Sequence, residues 1–436
     1  YHLFYQYNPY GSKWGNMNWG HAISKDLIKW EELPIAIYPD KDKYIFSGSA
    51  VVDASNTSGL KKGTMDPIVA IYTLHDMTKE KAGKIDVEQQ DIAYSNDNGL
   101  TWHKFEEGNP VLKNPGIRDF RDPKVTWDAT HKQWIMALAA QDRNQFYKST
   151  NLKDWEYLSD FGKNIGAHGG VWECPDFFEI KVQGTNETKW VLIQSLNPGG
   201  VNGGSGTQYF VGDFDGKTFT LDPNFEQKVS KEKGVWIDYG KDNYAGVTWN
   251  NIPDSDGRRL FIGWMSNWDY AQQVPTTTWR SSMTIPREIQ LIKKGNDYSL
   301  INYPVREINK YISKTSIKKS LKAKGNLSLV ESGKIDLAQA IVNFNLKNLK
   351  QDTYTFSLSN SLGESLTFGI NNEENYLFVD RSKAGKTDFS EKFAATISKA
   401  ALDGIQKEAA FKIILDKTSI EIFYNNGEKV LTEIFF

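Results

Sequence analysis

A short turn motif recurs four times along the chain and limits its possible folds more than any other feature. Its copies are SKDLIKW at residues 24–30, SNDNGLTW at 95–102, STNLKDW at 149–155 and GDFDGKTF at 212–219. Each copy follows a strand-like run, is rich in Asp or Asn, and ends on an aromatic residue that begins the next strand. Asp and Asn side chains can accept hydrogen bonds from their own turn. Intervals of roughly 50 to 70 residues predict a β-propeller with one such hairpin per blade and about five blades.

Tryptophan divides the chain into two parts. All 14 Trp lie between Trp14 and Trp279. Later segments such as TYTFSLSN and SIEIFYNNGE alternate apolar and polar residues, and the second holds an Asn-Gly hairpin turn. This pattern predicts a β-sandwich. We therefore expect an all-β chain with a five-bladed β-propeller over residues 1–300, a linker over 301–315 with a short helix from Pro304, and a β-sandwich over 316–436.

The overall composition excludes several classes of protein. The 52 Lys and Arg residues are balanced by 54 Asp and Glu residues, so no basic excess indicates a nucleic-acid partner. No apolar run approaches the roughly 20 residues that span a bilayer. The six His are scattered without ligand-like pairing, which predicts no metal site, and nothing indicates another cofactor. The single cysteine, Cys174, can form no intrachain disulfide, so cysteine usage does not fix the compartment.

Two carboxylates stand beside proline in strand-like segments, Asp122 in FRDPKV and Glu173 in VWECPDFF. Proline disfavours a helix there, so we expect each acid at a strand end. Taken alone, such acids are more often turn caps or ion-pair partners than catalysts. On separate blades of a propeller they could meet in the axial funnel, where a glycosidase needs a pair of carboxylates. The apolar neighbours of Glu173 favour a protonated proton donor, whereas Arg121 should keep Asp122 ionised and join it in binding sugar hydroxyls.

A set of motifs in this order resembles glycoside hydrolase family 32, the invertase, inulinase and levanase group. The motifs are FYQYNP, WGNMNWGHAISKDLIKW, FSGSA, FRDP, WECPD and GWMSNWDYA, and they cover essentially the whole chain. The resemblance implies a five-bladed propeller followed by a sandwich, which agrees with the strand pattern. It also implies a retaining enzyme that cleaves β-fructofuranosides.

The resemblance also assigns roles to particular residues. Glu173 would be the acid/base, and Asp122 would stabilise the transition state with Arg121 beside it. The fructosyl site would be lined by Gln6, Trp14, Phe46, Ser47, Tyr244 and either Trp264 or Trp268, with Trp19 and Asp176 in secondary positions and Asp176 as a partner of Glu173. Without the resemblance, Gln6 and Trp14 are read as blade packing, Ser47 as a turn residue and Cys174 as a small buried filler.

The nucleophile that the resemblance implies is the Asp of an Asn-Asp-Pro motif, and this sequence has none. Because both the first and the last residues resemble strand interiors, we expect the chain to continue at both ends and the nucleophile to lie upstream of Tyr1. A retaining hydrolase of inulin, levan or sucrose is the favoured interpretation. A fructosyltransferase with the same site and a fructan-binding propeller without a nucleophile remain alternatives. An arabinan- or xylan-cleaving propeller is a weaker one.

Substrate length and linkage should depend on two loops that we expect at the funnel rim, residues 56–67 and 196–208. The second is rich in glycine and is predicted to be mobile. The resemblance implies a fructan oligo- or polysaccharide as the substrate that the protein binds. The sequence does not indicate the oligomeric state. Polymeric substrates are met outside the cytoplasm, so we expect a secreted, periplasmic or cell-surface protein.

Overall fold

The computed structural model describes residues 1–322, 325–330 and 336–436. The described residues form seven antiparallel sheets, five within residues 2–304 and two within 340–434. The five sheets are the blades of a β-propeller and the other two form a β-sandwich, so the predicted fold class is confirmed. Residues 323–324 and 331–335, which fall in the range predicted for the sandwich, lie outside the described residues.

The five propeller sheets follow one another along the chain. Their strands are β1 (His2–Tyr7), β2 (Asn18–Ser24) and β3 (Trp30–Ile37); β4 (Lys43–Val52), β5 (Ile68–Asp76), β6 (Glu88–Ser95) and β7 (His103–Lys104); β8 (Phe120–Asp128), β9 (Gln133–Ala140), β10 (Arg143–Ser149) and β11 (Glu156–Phe161); β12 (Val171–Lys181), β13 (Thr188–Asn197), β14 (Gly206–Phe214) and β15 (Phe219–Leu221); β16 (Tyr244–Thr248), β17 (Arg259–Trp264), β18 (Arg287–Lys294) and β19 (Asp297–Pro304). Two helices, α1 (Met77–Lys81) and α2 (Pro223–Glu232), lie between strands.

The sandwich contains two sheets of four strands each. The strands are β20 (Ala340–Lys347), β25 (Glu408–Asp416), β26 (Ser419–Tyr424) and β27 (Lys429–Ile434) in one sheet, and β21 (Thr353–Ser359), β22 (Ser365–Asn371), β23 (Tyr376–Lys383) and β24 (Ser398–Ala401) in the other. Phenyl rings pack between the sheets, where the ring centroid of Phe344 lies 4.5 Å from that of Phe356 in the other sheet and 4.9 Å from that of Phe411, its paired residue in the same sheet. The predicted Asn-Gly turn joins β26 to β27.

The recurring turn motif connects the last two strands of the first four propeller sheets. In the copy between β2 and β3, the Asp26 carboxylate accepts hydrogen bonds from the amides of Ile28 and Lys29 at 3.1 and 3.0 Å. The indole of Trp30 donates to the carbonyl of Leu27 at 3.0 Å. Equivalent indole bonds close the copies that end at Trp102 and Trp155. In these three copies the tryptophan therefore closes the turn by a hydrogen bond and also begins the next strand.

The innermost strands of four blades, β4, β8, β12 and β16, surround the propeller axis and contact one another in turn. Each carries a one-residue β-bulge at the same level, after Ile45, Arg121, Glu173 and Tyr244. A bulge turns the strand so that the side chains beside it change face. The two acids therefore lie at bulges inside strands, which corrects the prediction that they lie at strand ends.

The residues within these bulges explain why the sequence forms them. Asp122, Cys174 and Ala245 adopt positive φ angles of 66°, 48° and 53°. Pro123, Pro175 and Gly246 follow them, and the two prolines contribute no amide that the interrupted ladder would leave unpaired. At Gly246 any Cβ would lie 2.1 Å from the ring of Phe261, so only glycine fits there.

A buried ionic network joins the propeller to the sandwich. Arg381 of β23 donates to the Asp242 carboxylate and, at 2.7 Å, to the Tyr270 hydroxyl, and it forms an ion pair with Glu433 at 2.8 Å. Arg287 of β18 similarly donates at 2.9 Å to Asp238 of the propeller, and it also bonds Glu421 of the sandwich. Because a buried charge without a partner is costly, these contacts fix one domain against the other.

The connection between the domains differs from the predicted one. Residues 301–304 complete β19 and do not begin a linker, because their backbone pairs in register with β18. A 3₁₀ helix follows at Arg306–Tyr311, after Pro304 and not from it. The remaining predicted domain boundaries stay a prediction. Within the described ranges, no helix has the length and apolar character needed to cross a membrane.

Candidate active site

A cavity of about 1950 Å³ opens along the propeller axis. It is lined by side chains from all five blades. Every residue that the sequence placed in the site contributes to its lining: Gln6, Trp14, Phe46, Ser47, Arg121, Asp122, Glu173, Tyr244, Trp264 and Trp268. Among the described residues, positions up to 268 apart in the sequence meet here, as in the 2.8 Å hydrogen bond from the Arg280 guanidinium to the Ser12 hydroxyl.

Glu173 stands at the bulge of β12 with its side chain 21% exposed. Its Oε1 accepts from Nη2 and Nε of Arg121 at 3.1 and 3.3 Å, and its Oε2 accepts from the hydroxyl of Tyr244. The predicted apolar surroundings are therefore wrong, because polar donors on the two neighbouring blades hold both oxygens. Burial and the negative charge of Glu173 raise the pKa of Tyr244 well above its usual value, so its hydroxyl stays a donor.

Arg121 binds three carboxylates and not the one predicted. Besides Glu173, its Nη1 donates to Asp119 at 2.7 Å and to Glu88 at 3.1 Å. Among the described residues, the Arg121 side chain forms no hydrogen bond with Asp122. In a regular strand, successive side chains point to opposite faces, but this rule does not hold within a bulge. The guanidinium therefore orients the acid at position 173 and has little capacity left for sugar hydroxyls.

Asp122 is buried, and its backbone and carboxylate are both fixed. Its amide donates to the hydroxyl of Thr73 at 2.9 Å, and its Oδ2 accepts from the amide of Cys174 at 2.9 Å and from the thiol at 3.5 Å. Burial raises the pKa of Asp122 to about 6, while the nearby Arg121 acts in the opposite direction. Desolvation therefore outweighs the charge of Arg121, and the prediction that Asp122 is ionised stays a prediction.

Cys174 does more than fill space, since it orients Asp122 through two hydrogen bonds. Burial and the adjacent carboxylates raise the pKa of its thiol well above the usual value. The thiol therefore remains neutral and acts as a weak donor.

Aromatic rings line the cavity in two groups. In one group Trp14, which is 49% exposed, lies with its ring centroid 6.0 Å from Phe46. In the other group Trp264 and Trp268 lie 5.0 Å apart, and Tyr244 lies 6.3 Å from Trp264. Apolar faces of sugar rings pack on such surfaces. Both candidates from GWMSNW therefore line the cavity, and the sequence offered no reason to prefer one.

Gln6 and Ser47 line the cavity beside the bulge of β4. The side-chain amide of Gln6 donates to the carbonyl of Ile45 at 3.0 Å, and the indole of Trp19 donates to the carbonyl of Phe46 at 2.9 Å. Both bonds fall on carbonyls that the bulge frees from the ladder. Gln6 thus supports the bulge that presents Phe46 and Ser47, and the buried Trp19 supports the same bulge.

Asp176 does not contact Glu173, which corrects its predicted role. It is fully buried, and it accepts from the amide of Thr248 and pairs with Lys124 at 3.3 Å. After the bulge, its side chain points away from the Glu173 carboxylate and toward β8 and β16. Asp176 therefore ties three innermost strands together.

Neither predicted rim loop lines the cavity. In the glycine-rich loop, Asn202 donates to the carbonyls of Tyr239 and Lys399 and accepts from the Lys399 amide. Ser205 accepts from the amide of Trp268 at 3.0 Å. These contacts argue against the predicted mobility and show that the loop supports a cavity tryptophan while it packs on the sandwich.

Sequence reasoning missed Glu88 and Asp119, the other two acids on Arg121. Asp119 lies two residues before Arg121, a spacing that places side chains on one side of an extended chain, so a signal for it existed. Glu88 is on β6 of the preceding blade, and nothing near Arg121 in the sequence indicates it. Only the three-dimensional fold brings Glu88 into the site.

The axial funnel of this propeller is lined by a hydrogen-bonded glutamate, a buried aspartate and several tryptophans. This is the architecture of a carbohydrate-active hydrolase. Comparison with known proteins defines the class further. Residues 1–304 match the glycosyl hydrolases family 32 N-terminal domain, and residues 307–436 match the glycosyl hydrolases family 32 C-terminal domain. The chain therefore belongs to glycosyl hydrolases family 32, and the predicted resemblance and its glycosidase class are confirmed.

Individual relatives cover the whole chain. A levanase of Bacillus subtilis is 45% identical over 438 residues, which span 100% of this chain and 62% of the levanase. An extracellular exo-inulinase of Aspergillus awamori is 38% identical, across 100% of this chain and 84% of that protein. The chain thus spans less than two thirds of the levanase's length.

Solved structures give the same result for the fold. The crystal structure of exo-inulinase from Aspergillus awamori superimposes with a TM-score of 0.86 at 35% identity, covering 100% of this chain and 88% of that one. A β-fructofuranosidase of Schwanniomyces occidentalis in complex with fructosyl-erythritol gives a TM-score of 0.81 at 33% identity, with 100% and 86% coverage.

Proposed function

We propose that the protein hydrolyses β-fructofuranosidic bonds in fructans, and in sucrose, with retention of configuration. The observation that carries this proposal is the Glu173 carboxyl, which faces the cavity between Arg121 and Tyr244, where it can exchange a proton with a bound glycoside. Relatives named levanase and exo-inulinase support fructan as the substrate class.

In the proposed reaction, Glu173 as a carboxylic acid gives its proton to the glycosidic oxygen while the bond from that oxygen to the anomeric carbon breaks. An aspartate, predicted upstream of Tyr1, forms the bond to the anomeric carbon and gives a fructosyl-enzyme. Water then attacks that carbon, Glu173 as carboxylate takes its proton, and the aspartate leaves. Asp122 holds hydroxyls of the distorted ring, which adds stabilisation in the transition state.

The experiment uses the full-length protein with inulin, levan and sucrose in separate reactions. Release of fructose or short fructans supports hydrolysis, and product sizing distinguishes removal of single units from internal cleavage. Nuclear magnetic resonance of the first product reports its anomeric configuration. An inverted first product would contradict the proposed retention.

Two alternative functions would use the same cavity. A fructosyltransferase passes the fructosyl group to a sugar, so longer oligosaccharides would accumulate at high sucrose concentration. A fructan-binding propeller without a nucleophile would bind inulin or levan and release no product. We place the protein outside the cytoplasm, secreted, periplasmic or on the cell surface, because a similar exo-inulinase is extracellular. Fractionation of the producing cells tests this.

A further inference from the structure

Arg121 distributes its positive charge over carboxylates from three parts of the propeller. Its Nε and Nη2 face Glu173 on β12, and its Nη1 faces Glu88 on β6 and Asp119 just before β8. The side chain of Arg121 is only 14% exposed, so water screens these interactions weakly. One cation is thus shared by three potential anions.

Glu88 is held in place for this contact. It is 2% exposed, and its Oε2 accepts from the amide of Phe120 at 2.7 Å, next to Arg121. On its other side, His75 lies 3.3 Å from Oε1. Burial opposes ionisation of Glu88, but the hydrogen bond from His75 and the charge of Arg121 outweigh it and lower its pKa. Glu88 therefore keeps its negative charge.

The arrangement matters because an arginine paired with Glu173 alone would favour the ionised form of that carboxyl. A general acid must hold its proton until the glycosidic oxygen takes it. Two further anions on the far end of the same guanidinium offset its charge as felt at Glu173. The hydrogen bonds that orient Glu173 are retained, and the electrostatic cost of protonating it falls.

We propose that Glu88 and Asp119 are positioning residues that balance the charge of Arg121 and so allow Glu173 to keep its proton for catalysis. This inference rests on the proposed glycosidase function. It assigns neither residue a contact with the sugar, because both act through Arg121.

The charged groups that face this cluster come from six elements. They are His75 on β5, Glu80 on α1, Glu88 on β6, Asp119 and Asp122 with Arg121 on and before β8, Glu173 and Cys174 on β12, and Tyr244 on β16. Two of them supply matched variants. Glu80 supplies the control, since it contacts His75 at 3.3 Å, is 54% exposed and forms no ion pair with Arg121 among the described residues.

The test measures kcat/KM against pH for the full-length protein and for Glu88→Gln, Asp119→Asn and Glu80→Gln, with inulin or sucrose as substrate. Removing the charge at position 88 or 119 should move the alkaline limb to lower pH by roughly half to one unit, because less negative charge offsets Arg121. Glu80→Gln should leave the limb in place. Activity at the acid side of the optimum should change less than at the alkaline side, which a loss of folded protein would not produce.

Asp119→Asn keeps the inference testable should Glu88→Gln fold poorly. Its side chain is 26% exposed and its φ is 55°, a conformation that asparagine adopts readily. Unchanged alkaline limbs in both folded variants, or a shift to higher pH, would overturn the inference alone. A native protein that releases no sugar from any fructan would instead contradict the proposed function.

Discussion

The Arg121 guanidinium lies against the Glu173 carboxylate, with Nη2 and Nε 3.1 and 3.3 Å from Oε1, although 52 residues separate them in sequence. The contact crosses from β8 to β12, two innermost strands that both carry a bulge at this point. It assigns Arg121 to the acid and not to its sequence neighbour Asp122.

Replacing Glu173 with Gln should lower turnover on inulin or sucrose by about 10² to 10⁴-fold, because the amide cannot donate a carboxylic proton. The fold should persist, since the amide fits the same volume. Initial rates and the melting temperature check both statements. Glu179→Gln, an exposed glutamate of the same strand, serves as the control and should retain full activity. Near-normal turnover of Glu173→Gln would rule out the acid/base role.

Replacing Tyr244 with Phe removes the hydroxyl that donates to Glu173 but keeps the buried ring. We expect kcat to fall about 10- to 100-fold with little change in KM, because a hydrogen bond to a charged group contributes about 1.5 to 3 kcal/mol. Tyr147→Phe loses a buried hydroxyl bonded to Gln145 away from the cavity and should leave kcat unchanged. Equal kinetics in the two variants would contradict a role for Tyr244 at the acid.

Asp122→Asn should stabilise the protein at neutral pH while it abolishes most activity. The folded pKa of about 6 lies above the ordinary value of 3.8, so the folded state binds the proton more tightly than the unfolded state. The stabilising contribution is then complete below pH 4 and is lost as the pH rises to about 6. Above that, ionised Asp122 costs roughly 3 kcal/mol, which the neutral amide avoids.

Melting temperatures of Asp122→Asn and of the native protein, measured between pH 4 and pH 8, test whether the substitution stabilises the protein at neutral pH. The variant should melt higher at pH 7, and the difference should close near pH 4. Asparagine also suits the positive φ of 66° at this position. A variant that is less stable than the native protein at pH 7 would show that desolvation does not dominate at Asp122.

Trp14→Ala should raise KM for inulin about tenfold with a smaller effect on kcat, because its half-exposed indole offers a stacking surface for a sugar. Trp127→Ala is the control. Trp127 is 41% exposed on β8 and does not line the cavity, so its loss should not change KM. If both variants show the same KM as the native protein, Trp14 belongs to blade packing.

Arg381→Met should lower the free energy of unfolding by about 3 to 5 kcal/mol, because it leaves Asp242 and Glu433 buried without their cation. Urea unfolding followed by tryptophan fluorescence measures the change. Arg306→Met, at a side chain 77% exposed, should have a small effect. Since all Trp lie in the propeller, a fluorescence change would show that damage in the sandwich reaches the other domain.

The sequence predicts what local hydrogen bonds determine. The recurring turn is closed within seven or eight residues by an Asp or Asn side chain and, in the three copies that end on tryptophan, by an indole, so its pattern located the blades. The residues that the motif resemblance names, from Gln6 to Trp268, all line one cavity, and their roles there stay a prediction.

The predictions that were wrong concern contacts between blades. Asp122 and Arg121 are adjacent in sequence, and that adjacency suggested an ion pair. The bulge and the anions at Glu88 and Asp119 direct the guanidinium elsewhere. The surroundings of Glu173 were misjudged for the same reason, since its polar partners come from β8 and β16.

The four aligned bulges have a consequence for how this family of funnels can change. Because each bulge adds one residue, deleting a single residue there would reverse the facing of the side chains on one side of it. A deletion next to Pro175 would turn the Glu173 side chain away from the axis and turn a packing residue toward it. The chemical identity of the remaining side chains would not change. A one-codon insertion or deletion could therefore add or remove a reactive side chain at the axis. A comparison of substitutions alone would not detect such a change.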